Sequence, residues 1–144
     1  MTQILLVRMS SLGDILHTFP AATDIRRALP DAVLDWVVEE AYVPLVHMHP
    51  GVTHAIPIAL RRWRKQVLSR GAWNEALSFR EGLKRRRYDA ILDTQGLAKS
   101  LAVAKLPHGT LHGFGPRTAR DPDVSRGCVR TCVGAAGGHK VERG

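Results

Sequence analysis

Ser10, Ser11, Gly13 and Asp14 stand directly behind the apolar run Ile4–Val7, in the stretch RMSSLGDILHTFPA (8–21). Hydroxyls, a glycine and a carboxylate between a strand-like run and a helix-like run admit two readings. In the first, Ser or Asp caps a helix start and Gly13 serves the turn. In the second, the same group sits at the carboxyl edge of an open α/β sheet, where ligands bind. Asp14 is the only carboxylate in that loop, and the dipoles of a helix start hold such a group ionised. An ionised carboxylate at that edge can take a proton from a substrate hydroxyl. The residues alone leave both readings open.

Two further groups could do chemistry. DTQG (93–96) ends another strand-like run and would offer polar groups on the same rim as Asp14. RRWRK (61–65) follows the strand-like run 54–58, and four cations in five loop positions point to an anion site. The second basic cluster, KRRR (84–87), closes an amphipathic helix, where cations complement the helix dipole, and reads as a solvated helix end. The chain as a whole carries 21 Lys and Arg against 13 acids, a formal charge of +8, which favours polyanionic partners: nucleic acid, anionic lipid or a phosphorylated substrate. No glycine-rich dinucleotide fingerprint follows the first strand and no P-loop pattern occurs. Cys128, Cys132 and His139 fall short of a metal site, and two cysteines make no disulfide framework.

The elements that must position these groups alternate. Strand 3–8 leads to helix 14–28, with a kink expected at Pro20. Strand 33–40 and a short helix 41–47 follow. In strand 54–59, Pro57 argues for an edge or a bulge. Helix 72–87, strand 88–96, helix 97–105 and a fifth strand, 110–115, complete the pattern. Such alternation predicts an α/β fold with a doubly wound parallel sheet in one domain. No apolar run approaches the roughly 18 residues of a membrane span, and residues 1–8 lack a signal-peptide layout, so a cytoplasmic location is expected.

Five blocks taken together, ILLVRMSSLGDILHTFPAATD (4–24), DWVVEE (35–40), AIPIALRRWRK (55–65), YDAILDTQGLAKS (88–100) and HGF…TAR (112–120), resemble the bacterial lipopolysaccharide heptosyltransferase I family of glycosyltransferase family 9. The resemblance runs in order over residues 3–121. It implies the N-terminal, Rossmann-like half of a GT-B glycosyltransferase, with residues 1–121 as the acceptor-binding domain and no counterpart of the C-terminal donor domain. The implied reaction transfers L-glycero-D-manno-heptose from ADP-heptose to Kdo2-lipid A, with inversion and without a metal or other cofactor.

Carried over residue by residue, the resemblance makes Asp14 the general base, framed by Ser10, Ser11 and Gly13. It gives Arg61, Arg64, Lys65 and Arg120 to the Kdo carboxylates and lipid A phosphates, oxyanions that suit the planar guanidinium fork. His139 matches a further acceptor-side position. It also implies a peripheral, salt-sensitive seat on the anionic inner face of the cytoplasmic membrane, where Trp63 could touch the lipid interface or fold back on the sheet.

Residues 122–138 depart from the family. They are rich in Gly, Arg and Cys, and HKVER (139–143) then resumes the family pattern. The segment 122–144 is expected to be a divergent, poorly ordered tail. A non-catalytic remnant and a basic α/β module for nucleic acid are the competing readings. The second explains the charge but not the Asp14 loop, and no nucleic-acid-binding signature appears.

Overall fold

The computed structural model describes residues 1–113 and the backbone of 131–132. Its strands are β1 (Gln3–Val7), β2 (Val33–Glu39), β3 (His54–Ile58), β4 (Arg87–Asp93), β5 (His108–Gly113) and β6 (Thr131–Cys132). They form one sheet in the order β3-β2-β1-β4-β5-β6, with every pairing parallel. This is the 3-2-1-4-5-6 order of a Rossmann sheet, and it reverses between β1 and β4. β3 lies at the edge, where Pro57 removes no needed ladder donor. A two-residue sixth strand, Thr131–Cys132, adds to the five expected and comes from the segment anticipated as a tail.

The central strands β1 and β2 bury side chains on both faces, as a parallel sheet covered by helices requires. On one face, Ile4, Leu6, Leu34, Trp36 and Val38 meet α1 (Leu12–Ala28) and α2 (Val43–His47). Ile15, Phe19, Ala22 and Ile25 supply the inward stripe of α1 at helical spacing. Helix α1 runs through Pro20 without a break. The opposite face, with Leu5, Val7, Val37 and Ile91, packs against α3 (Leu60–Lys65), α4 (Arg70–Lys84) and α5 (Ala98–Ala104).

Two expectations about the basic clusters are corrected. The run 61–65 is helical rather than a loop, because Leu60 and Trp63, three residues apart, both turn into the core. Helix α4 ends at Lys84, and Arg86 is no mere solvated helix end: its guanidinium lies 3.1 Å from the carboxylate of Asp35, which is 3% exposed. The Tyr88 hydroxyl donates to the same carboxylate at 2.7 Å, and His54 Nδ1 lies 2.8 Å from its other oxygen. Burial, and then the Asp35 carboxylate, push the Tyr88 phenol well above its ordinary range.

Candidate functional site

The loop after β1 and the loop after β4 meet outside the carboxyl ends of the two strands, at the point where the strand order reverses. Asp14 sits there in the first turn of α1. Its Oδ2 accepts from the Ser11 backbone N–H at 3.3 Å and from the Ser11 hydroxyl at 3.0 Å. Its Oδ1 faces Arg8 Nη2 at 2.9 Å. The Ser11 N–H is the main influence lowering the Asp14 pKa. Burial opposes it, while the Ser11 hydroxyl and Arg8 add to it. The carboxylate is therefore ionised at neutral pH, and it is reached by water, with a side-chain exposure of 30%. Asp14 caps its helix start and also lies open at the switch point.

Gly13 has a different part from the one expected. It lies inside α1, and a Cβ there would meet nothing within 4 Å. The turn does not need a glycine at this position; the residue leaves open space beside Asp14. The turn that does need one is at Gly96, whose φ of 67° favours glycine.

The polar groups of 93–96 are not presented to a ligand as the sequence suggested. Asp93 and Gln95 are each 4% exposed. Asp93 Oδ1 accepts from the N–H groups of Gln95 and Gly96, and Oδ2 from the Ser100 hydroxyl. Gln95 Oε1 accepts from Met9 N–H at 2.9 Å. Arg8 Nη1 donates to the Thr94 carbonyl, and the Thr94 hydroxyl to the Val7 carbonyl. These bonds fasten the second loop to the first and so fix the platform on which Asp14 stands. Burial raises the Asp93 pKa, against the lowering effect of its donors and Arg8.

A pocket of about 200 Å³ lies next to this platform, lined by Met9, Ser10, Glu39, Leu60, Arg61, Arg64 and Lys99. It brings together three of the expected residues: Ser10, Arg61 and Arg64. Lys65 lines a neighbouring hollow of about 310 Å³ instead, with Arg61, Arg62, Glu39 and Glu40. Ser11, Gly13 and Asp14 stand on the adjoining helix start, outside the pocket lining. A larger groove of about 630 Å³ between β3 and α4 holds none of the expected site residues. Arg120 and His139 lie outside the described residues.

Within the pocket, Glu39 is 4% exposed, and its Oε1 accepts the Arg61 backbone N–H at 3.0 Å. The Arg61 guanidinium leans over the Tyr42 ring, 5.7 Å from its centroid. With Glu39 partly engaged by the main chain, the side chains of Arg61, Arg64 and Lys99 leave the pocket positive, suited to a carboxylate or phosphate. Arg8, Glu39 and Lys99 went unremarked in the sequence. Arg8 is the first residue after β1, Glu39 ends β2 and Lys99 lies one position inside α5, so the sheet order was needed to bring them together. Trp63 takes the second of its two expected placements: it folds back against Phe79, with ring centroids 6.0 Å apart, and donates to Glu75 at 3.2 Å. No group of His, Cys, Asp and Glu among the described residues is arranged to hold a metal ion.

No family model matches the chain. Among curated proteins, it is 45% identical over 142 residues to lipopolysaccharide heptosyltransferase 1 of Escherichia coli K12, covering 98% of this chain and 44% of that protein. The corresponding protein of Pseudomonas aeruginosa is 43% identical over 145 residues, again covering 98% of this chain and 40% of its own length. Among solved structures, E. coli heptosyltransferase WaaC with ADP-2-deoxy-2-fluoro heptose superposes with a TM-score of 0.81 at 46% identity, over 86% of this chain and 40% of that one. E. coli heptosyltransferase II, at 20% identity and a TM-score of 0.65, shares the fold. The chain thus spans less than half the length of these relatives, and over that span it is similar in sequence and fold to lipopolysaccharide heptosyltransferase 1.

Proposed function

We propose that this chain is the acceptor-binding half of an inverting heptosyltransferase that transfers L-glycero-D-manno-heptose from ADP-heptose to Kdo2-lipid A at the inner face of the cytoplasmic membrane. The observation that carries the reading is the placement of Asp14. An ionised, water-accessible carboxylate stands at the switch point of a Rossmann sheet, beside a pocket lined by Arg61, Arg64 and Lys99. The Kdo carboxylates and lipid A phosphates would meet those cations. Arg120 and His139 are expected to add to them.

In the proposed step, an acceptor hydroxyl oxygen bonds to the anomeric carbon of the heptose as the bond to the ADP oxygen breaks. The hydroxyl proton passes to Asp14, and configuration inverts. A carboxylate with a lowered pKa is a weak base toward a resting alcohol. Proton transfer must therefore run together with C–O bond formation, once the attacking oxygen has become acidic. The partial positive charge on the sugar ring makes the transition state oxocarbenium-like. Aligning acceptor and donor in one cleft can supply about 7–11 kcal/mol of the barrier, so these 144 residues by themselves should show no transfer. Combined with the donor half of the E. coli relative, they should transfer heptose from ADP-heptose to Kdo2-lipid A. Asp14→Asn should then abolish turnover. Near-normal turnover in that variant would reduce Asp14 to a helix cap.

A further inference from the structure

No helix among the described residues is long and apolar enough to cross a membrane, yet the turn from α3 to α4 and the outer side of α4 display large apolar groups. Leu68 is 98% exposed, Trp73 58%, Val67 57% and Leu77 49%. Trp73 and Leu77, four residues apart on α4, share one side of it. The Trp73 indole N–H donates to the Val67 carbonyl at 2.6 Å and so ties the turn to the helix. The polar edge of the indole is thereby satisfied within the chain while much of the ring stays outside. A lone exposed leucine needs no explanation; four large apolar side chains on one turn and helix face do.

Most charges beside this cluster are positive; Glu81, one turn beyond Leu77, is paired with Arg80 and Lys84. Residues 60–77 contain Arg61, Arg62, Arg64, Lys65 and Arg70 against one acid, Glu75. Glu75 is occupied by Arg62 at 2.6 Å and by the Trp63 indole. Among the described residues, Arg64, Lys65 and Arg70 take part in no ion pair. Apolar tips beside cations, with Glu75 and Glu81 engaged elsewhere, suit an interfacial anchor: acyl chains receive Trp and Leu, and anionic headgroups receive Arg and Lys. A protein partner would need acidic groups set opposite each cation, whereas an anionic bilayer meets all of them without a specific arrangement.

We infer that Val67, Leu68, Trp73 and Leu77, with Arg64, Lys65 and Arg70, form a surface that docks on an anionic lipid bilayer. The inference rests on the acceptor reading for its purpose, because Arg64 also lines the cationic pocket and docking would bring that pocket to the headgroups. It does not rest on that reading for its test.

The test is sedimentation of the 144-residue chain with phosphatidylglycerol/phosphatidylethanolamine vesicles, and with phosphatidylcholine vesicles, both free of Kdo and lipid A. Binding to the anionic vesicles is expected, weakening as salt rises through about 0.1–0.5 M. Leu68→Ser, at a side chain that packs on nothing, should lower affinity by about threefold or more, and Leu68→Ser/Trp73→Ser by about tenfold. Brominated acyl chains should quench the emission of the wild type but not of Trp73→Phe, which should bind nearly as well. Unchanged vesicle binding in the folded double variant, or no quenching attributable to Trp73, overturns the inference. So does a chain that ignores vesicles and dimerises through this face. If anionic vesicles bind but added Kdo2-lipid A brings no gain, the acceptor reading fails and the docking surface stands. If Kdo2-lipid A is bound equally by wild type and double variant, the docking surface fails and the acceptor reading stands.

Discussion

Arg8 reaches Asp14 across the mouth of the sheet, Nη2 to Oδ1 at 2.9 Å, from a position only 7% exposed. Its Nη1 donates to the Thr94 carbonyl, while Nε has no hydrogen-bond partner among the described residues. One guanidinium therefore joins the start of α1 to the loop after β4. Arg8→Met should raise the Asp14 pKa, yet leave it below the ordinary carboxylate value, because the Ser11 N–H remains the stronger influence. Carboxyl-carbon NMR titration of wild type and variant would read both shifts. An unchanged Asp14 pKa would mean that Arg8 acts on the loops alone.

The lowered pKa of Asp14 fixes the direction of a pH effect. A carboxyl whose folded pKa is depressed adds stability that is fully present above its unfolded value of about 3.9 and is lost as pH falls through the folded value. Urea unfolding followed from neutral pH to below pH ~4 should therefore show a smaller acid-side loss of stability in Asp14→Asn than in wild type.

Asp93 satisfies two backbone N–H groups and one hydroxyl from a buried position. Asp93→Ala strands those donors and should destabilise the fold by about 3 kcal/mol, since each buried unsatisfied group costs about 1–3 kcal/mol. The urea midpoint would report the loss. Because the loop after β4 holds Met9 through Gln95, amide exchange at Met9 should quicken in the same variant.

Asp35 anchors the far end of the sheet through Tyr88, Arg86 and His54. Asp35→Ala leaves the Tyr88 hydroxyl buried without its acceptor and should cost about 3 kcal/mol or more. Arg86→Ala, at a side chain 48% exposed, should cost much less. Thermal unfolding of the two variants would order them.

The sheet was legible because its signals are local. Apolar runs of strand length alternate with 3.6-period stretches, and Pro57 pointed to an edge or a bulge in β3, which lies at the edge. Helix α3 was misread because charge masked periodicity: four cations hide the Leu60–Trp63 pair that faces the core. The site was legible only in part. Residue type and family resemblance singled out Asp14, Ser10, Arg61 and Arg64 as candidates, and the structure sets Asp14 at the switch point and the other three in the pocket beside it. Arg8, Glu39 and Lys99 escaped, since their proximity depends on β1 lying between β2 and β4. The tie between the two loops was invisible for the same reason: Asp93 and Gln95 look like ligand-facing groups until their backbone partners are known.

Calorimetric titration of the chain with the Kdo2 head group of lipid A, against a neutral oligosaccharide of equal length, tests the acceptor site most directly. Wild type should bind the anionic head group and not the neutral sugar. Arg61→Ala/Arg64→Ala should weaken binding by roughly 2–4 kcal/mol in all, since each charge-assisted hydrogen bond to an oxyanion contributes about 1–3 kcal/mol. Asp14→Asn should bind within about threefold of wild type, because a proton acceptor matters to turnover rather than to ground-state affinity. Equal affinity for the neutral sugar, or full affinity in Arg61→Ala/Arg64→Ala, would contradict an acceptor site at this pocket.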